Sequence, residues 1–246
     1  GGSVDGFVAL MNAKATELGL DSTRVINVHG LDDTPAAEGN YTTAHDLATI
    51  ARALLHHPQI LEWSSTRIRP FRGGEFTLYT TNRLLGRFRG LDGLKTGFTQ
   101  RAGFNLVATA ERQDMRLISV LMGARTEKQR ERETSQLLSW GFNNFTKGPI
   151  AVPGETLGSG PLDWGIEPEV SAVLVDTVIA VLSEEQRQRI KRDVELPTLL
   201  DAPVTAGDSV GTLQLSLDDR VLARVNLVAG KTVARMSLWE KLMSYF

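Results

Sequence analysis

The feature that most constrains this chain is residues 93–123, where three strand-like runs follow in close order: Gly93–Phe98, Phe104–Arg112 and Met115–Gly123. Gln113-Asp114 alone separates the second run from the third, a link long enough for a turn and too short for a crossover. The stretch therefore predicts three strands in succession, the last two joined by a turn. Apolar residues dominate the two later runs, as expected of central strands covered on both faces. The first run is different. It carries Lys95-Thr96-Gly97 at its centre and reads as an edge strand walling a cleft. On a strand Lys95 and Gly97 share one face and Thr96 takes the other. Gly93 and Gly97 bracket the motif and leave the backbone bare where another backbone could approach. Ala102-Gly103-Phe104-Asn105 opens a buried strand that ties this edge to a rigid sheet. The plainer reading of the tripeptide alone is a surface strand with an exposed lysine.

Helical patterns flank this sheet. Ser3 can cap a helix in which Phe7, Leu10, Met11, Lys14 and Leu18 recur at helical spacing until Gly19. Val25–Val28 is short and strand-like, and a polar loop runs from His29 through Pro35 to Gly39. Thr43-Ala44-His45-Asp46 reads as a capping box with Asp in place of the usual Glu. Leu47, Ile50, Ala51 and Leu54 then form one apolar face, and Pro58 closes the helix. Thr66–Phe71 and Phe76–Thr80, split by Gly73-Gly74, predict a β-hairpin. Thr126–Phe145 is a long helix, with Leu137, Leu138, Trp140, Gly141 and Phe142 at its buried end. Arg130, Glu131, Arg132 and Glu133 lie in its solvated early stretch.

From about Pro149 short apolar runs alternate with Gly and Pro, which predicts a small β-sandwich or barrel. Glu184–Glu195 is charged and reads as a solvated connector or an irregular edge strand. Lys231–Phe246 returns to a helical period, with Val233, Met236, Trp239, Leu242, Met243 and Phe246 on one face. Such an amphipathic helix can lie on a membrane surface or pack on its own domain. The expected class is α+β. An antiparallel sheet with flanking helices occupies 1–148, a small all-β domain 149–230, and an amphipathic tail helix 231–246.

Several functions are excluded at this level. A net charge of −2 gives no general basic field for nucleic acid. Cysteine is absent, so there are no thiol nucleophiles or thiolate metal sites. The four histidines, His29, His45, His56 and His57, fall in no metal-binding spacing, and no metal is expected. No G-x-G-x-x-G or P-loop stands in a strand-to-helix context, and no cofactor is implied. No apolar run approaches the ~20 residues that span a bilayer.

Lys-Thr-Gly is one of the three motifs of β-lactamases and penicillin-binding proteins. The likeness extends further, through FVALMNAKATELGL (7–20), VHGLDD (28–33), YTTAHDLA (41–48), GLDGLKTGFTQRAGFNLVATA (90–110) and MRLISVLMGART (115–126). In that order across residues 3–145, the chain resembles the serine D-alanyl-D-alanine carboxypeptidases, the low-molecular-mass penicillin-binding proteins. The segment from 150 and the tail resemble that family's second domain and membrane anchor, with a weaker signal. The resemblance implies a β-lactamase/transpeptidase-like fold and partners that are peptidoglycan stem peptides and β-lactams. It also implies a periplasmic or extracytoplasmic location. It assigns Lys95, Thr96 and Gly97 to the substrate carboxylate and strand pairing, and the Phe98 amide to an oxyanion hole. Arg130 falls near the carboxylate, with a solvated helix charge as the other reading. Phe98 stands where relatives have His. His29 is expected to support its loop.

The serine is missing. No serine has a lysine three residues on, and S-x-N is absent too; Ser64, Ser65, Ser119 and Ser237 all fail the test. In the family both motifs lie upstream of the segment that opens here, so no catalytic residue is assigned in this chain. An acyl-enzyme needs a nucleophile and an adjacent base, and the chain alone is expected to be inactive. The expectation is that an N-terminal fragment accompanies it and covers apolar surface otherwise exposed. A non-catalytic cell-wall peptide-binding module and a β-lactamase-like protein are the alternatives. The start at Gly1-Gly2 reads as a processing or cleavage boundary.

Overall fold

The computed structural model describes residues 1–32 and 39–243. The loop expected through Pro35 and the last three tail residues, including Phe246, lie outside them. The chain divides into two compact units, Gly1–Asn143 and Asn144–Phe246.

In the first unit, α1 (Val4–Glu17) starts where Ser3 accepts the Gly6 N–H. It buries only Ala15; Val4, Phe7 and Leu10 are exposed. Val25–Val28 forms no strand. Arg24 makes one isolated bridge to Tyr41, and Asn12 holds both the N–H and the carbonyl of Val25. The segment's backbone is thus partly satisfied by a side chain instead of a ladder.

α2 (Ala44–Leu54) realises half of the expected capping box. Thr43 Oγ1 accepts the Asp46 N–H at 3.1 Å, but the Asp46 carboxylate takes the Thr23 hydroxyl at 2.6 Å. Asp is one methylene shorter than Glu, and a nearer donor wins it. α3 (Pro58–Ser64) begins with proline in its first turn, where the missing N–H costs nothing. The hairpin is β1 (Ile68–Phe71) with β2 (Phe76–Tyr79), turning through Arg72–Gly74 with Gly73 at φ 69°. Every residue of both strands is exposed.

β3 (Leu91–Thr99), β4 (Gly103–Arg112) and β5 (Met115–Ala124) form the antiparallel sheet, in that order, so β3 is an edge. α4 (Glu127–Asn144) covers one face. Its buried residues are Arg130, Thr134, Leu138 and Gly141, spaced four, four and three, which is one stripe of a 3.6-residue helix. Leu138 packs with Leu106, Ala108, Ala110 and Leu91 of the sheet. At Gly141 a Cβ would come 2.6 Å from Leu117, which shows how near the helix lies to β5. Two expectations are corrected here. Leu137 and Trp140 lie off the stripe and are exposed, and Arg130 is buried at 3% exposure. α2 packs on β5, and Val107, alternating with the α4-facing residues, turns toward α2's apolar side.

The second unit is built on a six-stranded sheet. Its strands are β7 (Thr156–Asp163), β8 (Glu169–Leu174), β10 (Ile190–Glu195), β11 (Leu200–Asp201), β12 (Ser209–Leu217) and β13 (Arg220–Ala229). The order is β10-β12-β13-β8-β7-β11, with only β11 running parallel to its neighbour. β6 (Thr146–Ala151) and β9 (Val178–Leu182) form a separate pair. Alternating residues such as Val170, Ala172 and Leu174 on β8 and Leu213 and Leu215 on β12 build its core. The charged segment at 184–195 resolves into α5 (Glu184–Gln188), with a complete Ser183–Gln186 capping box, and the edge strand β10.

The tail helix is shorter than its pattern. α6 spans only Leu238–Met243. Val233 is fully buried and bridges Val204, and Arg235 bridges Gly165, so residues 231–237 add to the β unit. Their apolar spacing serves the core of this unit. α6 is fixed by Lys241, which donates to Asp163 at 2.8 Å and lies 5.3 Å from the Trp164 ring. Its Leu238, Trp239, Leu242 and Met243 are exposed. Among the described residues no helix is long and apolar enough to cross a membrane.

Candidate functional site

β3 brings Lys95, Thr96, Gly97 and Phe98 together on an edge with no strand beyond it among the described residues. Burial alternates as the spacing required: Lys95 and Gly97 are exposed, Thr96 is buried. The Lys95 ammonium folds back to donate to the Thr96 carbonyl. Lys95 and Thr96 border two clefts. One, of about 470 Å³, lies between them, the end of α3 and the hairpin. The other, of about 340 Å³, is apolar and runs between α2 (Leu47, Ile50, Ala51, Leu54) and the sheet.

The two bracketing glycines do different work. At Gly97 the nearest atom to an added Cβ is the Asn105 Cβ, 4.0 Å away, so that face is open to another chain. At Gly93 a Cβ would meet Ser64 Oγ at 2.5 Å. Ser64 donates to the Asp92 carbonyl at 2.8 Å and pins the end of α3 to β3. Gly93 is thus small for packing, which corrects the expectation that it keeps backbone bare for a ligand.

Among the described residues Arg130 makes no hydrogen bond or ion pair to β3. Its Nη2 donates to the Thr81 carbonyl at 3.4 Å and to Glu127 at 3.1 Å, and its guanidinium lies 5.8 Å from the Phe104 ring. Its Nε is buried with no hydrogen-bond partner among the described residues. Thr81 completes the link, because its hydroxyl lies 2.6 Å from that of Thr96. Sequence reasoning missed Thr81. It sits in Thr80-Thr81-Asn82 just after the hairpin, a stretch whose composition signals only a turn. The buried Asn82, which reaches the Gly93 carbonyl at 3.4 Å, shows that this turn is fastened to β3.

The Phe98 ring is half-exposed and stacks on Phe104 with centroids 4.3 Å apart. Next to the motif the surface is therefore apolar. His29 lies away from these residues in sequence, in its own loop, where Nδ1 accepts the Leu31 N–H at 3.1 Å. No cluster of metal-binding side chains occurs among the described residues.

An antiparallel sheet with helices on it, an unpaired edge bearing Lys-Thr-Gly and a separate β unit define the transpeptidase-like class with a small β domain. Comparison with known proteins narrows this. Residues 1–126 match the family described as D-alanyl-D-alanine carboxypeptidase, and residues 145–235 match the penicillin-binding protein 5 C-terminal domain. The chain belongs to the D-alanyl-D-alanine carboxypeptidase family, whose members are serine hydrolases. It is 35% identical to the D-alanyl-D-alanine carboxypeptidase DacA of Escherichia coli over 99% of this chain and 60% of that protein. DacD of Salmonella typhimurium is 34% identical over 98% of this chain and 61% of its own length. The chain thus spans about three fifths of these relatives. Penicillin-binding protein 5 from Haemophilus influenzae superposes with a TM-score of 0.66 at 32% identity, over 95% of this chain and 67% of that one. Penicillin-binding protein D2 from Listeria monocytogenes, in its cefotaxime-bound form, gives 0.51 at 38% identity over 55% of each chain.

Proposed function

We propose that this chain supplies the substrate-binding wall of a serine D-Ala-D-Ala carboxypeptidase, and that the nucleophile comes from a segment upstream of it. The observation that carries the reading is the unpaired β3 edge, with an ammonium at Lys95, a hydroxyl at Thr96 and an open face at Gly97. An extended acyl-D-alanine peptide adds to such an edge by main-chain hydrogen bonds. Lys95 and Thr96 meet its terminal carboxylate by charge and hydrogen bonding. The Phe98 amide, next along the strand, serves the developing oxyanion. Arg130 adds positive potential from behind through Thr81.

In the complete enzyme a serine oxygen attacks the carbonyl of the penultimate residue. The C–N bond breaks, D-alanine leaves with a proton on its nitrogen, and water then hydrolyses the ester. A β-lactam enters the same step but holds its leaving nitrogen in the ring product, and so traps the acyl-enzyme. Two observations support an upstream contribution: S-x-x-K is absent, and α1 and the hairpin expose Phe7, Leu10, Phe71 and Phe76. By resemblance the protein works on the outer face of the cytoplasmic membrane, with α6 as the contact to lipid.

The test uses labelled penicillin and a peptide ending in D-Ala-D-Ala. This chain alone should bind the peptide reversibly, lose it with Lys95→Ala, and take no covalent label. Adding the homologous upstream segment in trans should restore labelling. A covalent adduct on any serine of residues 1–246 would overturn the reading. Peptide binding without labelling under any combination would favour the peptide-binding module.

A further inference from the structure

The cleft of about 470 Å³ beside the open edge of β3 has a chemistry that terminal-carboxylate recognition does not use. In the hairpin register Arg69 stands opposite Leu78, and the Thr80 N–H donates to the Arg67 carbonyl. Arg67, Arg69, Leu78 and Thr80 therefore share one face of the hairpin, since side chains alternate along a strand. All four line this cleft, with Lys95 and Thr96 of β3 across from them.

Three cations thus border one cleft, and no acidic residue lines it among the described residues. Neither arginine makes an ion pair among the described residues, whereas Arg83, Arg116 and Arg189 each do. Arg67 is also seated: its guanidinium lies over Gly86, where a Cβ would come 2.6 Å from Nη1. Like charges gathered in a concave site repel one another and raise the local concentration of anions. Guanidinium groups suit carboxylates in particular, because their fork matches the two oxygens.

We propose that this cleft is a second anion subsite. In it Arg67 and Arg69 take a carboxylate carried by the acyl portion of a peptide whose terminal carboxylate is held at Lys95 and Thr96. The inference rests on the reading of that wall given above. The ligand class is an acyl-D-alanyl-D-alanine peptide with a free acidic side group upstream of the scissile bond. Trp63, half-exposed on the cleft wall, reports occupancy.

The experiment titrates this chain with two peptides ending in D-Ala-D-Ala, one with an internal free carboxylate and one with that group amidated, following tryptophan fluorescence and calorimetry. The acid form should bind about three- to tenfold more tightly, as expected for one or two partly exposed charge pairs. The advantage should shrink as salt rises. Arg67→Gln/Arg69→Gln should bind both peptides with the affinity of the wild-type chain for the amide. Both sites are exposed, so the fold is not at risk. Lys95→Ala should weaken both peptides alike. Equal affinity of the two peptides for the wild-type chain, with both lost on Lys95→Ala, overturns the subsite and leaves the wall intact. Failure of both peptides to bind overturns the subsite and the wall together.

Discussion

Exchanging each bracketing glycine for alanine separates packing from recognition. At Gly93 the new Cβ would stand 2.5 Å from Ser64 Oγ and 3.1 Å from Ser64 Cβ. Ser64 can yield only by giving up its 2.8 Å hydrogen bond to the Asp92 carbonyl. Overpacking of this kind costs about 1–3 kcal/mol, and the lost hydrogen bond about 1 kcal/mol more. Together these are about 2–4 kcal/mol, or about 4–16 °C in melting temperature for a unit of this size. Gly97→Ala meets nothing nearer than 4.0 Å and should melt within about 1–2 °C of the parent. Its methyl would project where a bound main chain comes, so it should weaken the D-Ala-D-Ala peptide while Gly93→Ala, below its melting range, weakens it less. Thermal unfolding by circular dichroism on Gly93→Ala, Ser64→Gly and the pair completes the cycle. With the Ser64 side chain gone, the pair should recover most of the loss. A Gly93→Ala protein that melts like the parent, or a pair whose effects simply add, refutes the reasoning.

Three further outcomes follow from the packing and the charges. Thr23, by donating to Asp46, is the largest cause holding that carboxyl below its ordinary range, against opposing burial. A depressed folded-state pKa stabilises above the unfolded value of about 3.9 and loses this as pH falls from there through the folded value. Asp46→Asn should therefore flatten the acid limb of stability against pH, and an unchanged limb contradicts the assignment. Leu138→Ala, at a site 1% exposed between α4 and the sheet, should cost about 2–5 kcal/mol in denaturant unfolding. Lys241→Met should free α6 from Asp163 and Trp164, seen as faster proteolysis within 238–243 and altered tryptophan emission; unchanged digestion counts against the clasp.

What could be read in the sequence was what local rules control. One two-residue turn at Gln113-Asp114 and the apolar runs gave the strands β3, β4 and β5, and the Ser3 cap gave the start of α1. Readings failed where a distant group competed. Val25 took hydrogen bonds from Asn12 instead of a strand, and Asp46 took Thr23 instead of its own cap. Residues 231–237 have helical spacing, yet Val233 belongs to the core of the β unit. At the site, a motif marked Lys95 to Gly97, but nothing local marks Thr81 or the pairing of Gly93 with Ser64. Those depend on the hairpin turn and α3 meeting the same strand. The arginines at 67 and 69 carried a period-two signal that acquires meaning only once the hairpin's inner face is known.

Arg130 shows why a charge in a helix cannot be weighed from its neighbours in sequence. Glu131, Arg132 and Glu133 suggested a solvated turn, but 130, 134, 138 and 141 form the stripe that meets the sheet. The guanidinium is consequently buried, with Glu127 as its only acidic partner among the described residues and Nε unsatisfied. Glu127 keeps a second partner, Arg83, at 3.3 Å. Replacing Arg130 with methionine would thus remove a buried charge without orphaning its carboxylate, the case in which an apolar substitute is often neutral or stabilising. If Arg130 is kept for its potential behind Thr96, Arg130→Met should melt no lower than the parent while D-Ala-D-Ala peptide affinity falls. Affinity should also become less sensitive to salt. If it is kept for the fold, melting should drop by the amount typical of a broken buried pair, about 3–5 kcal/mol, with affinity unchanged in the folded fraction. The two results are opposite in both readouts, so a melting curve and a titration on one variant decide between them.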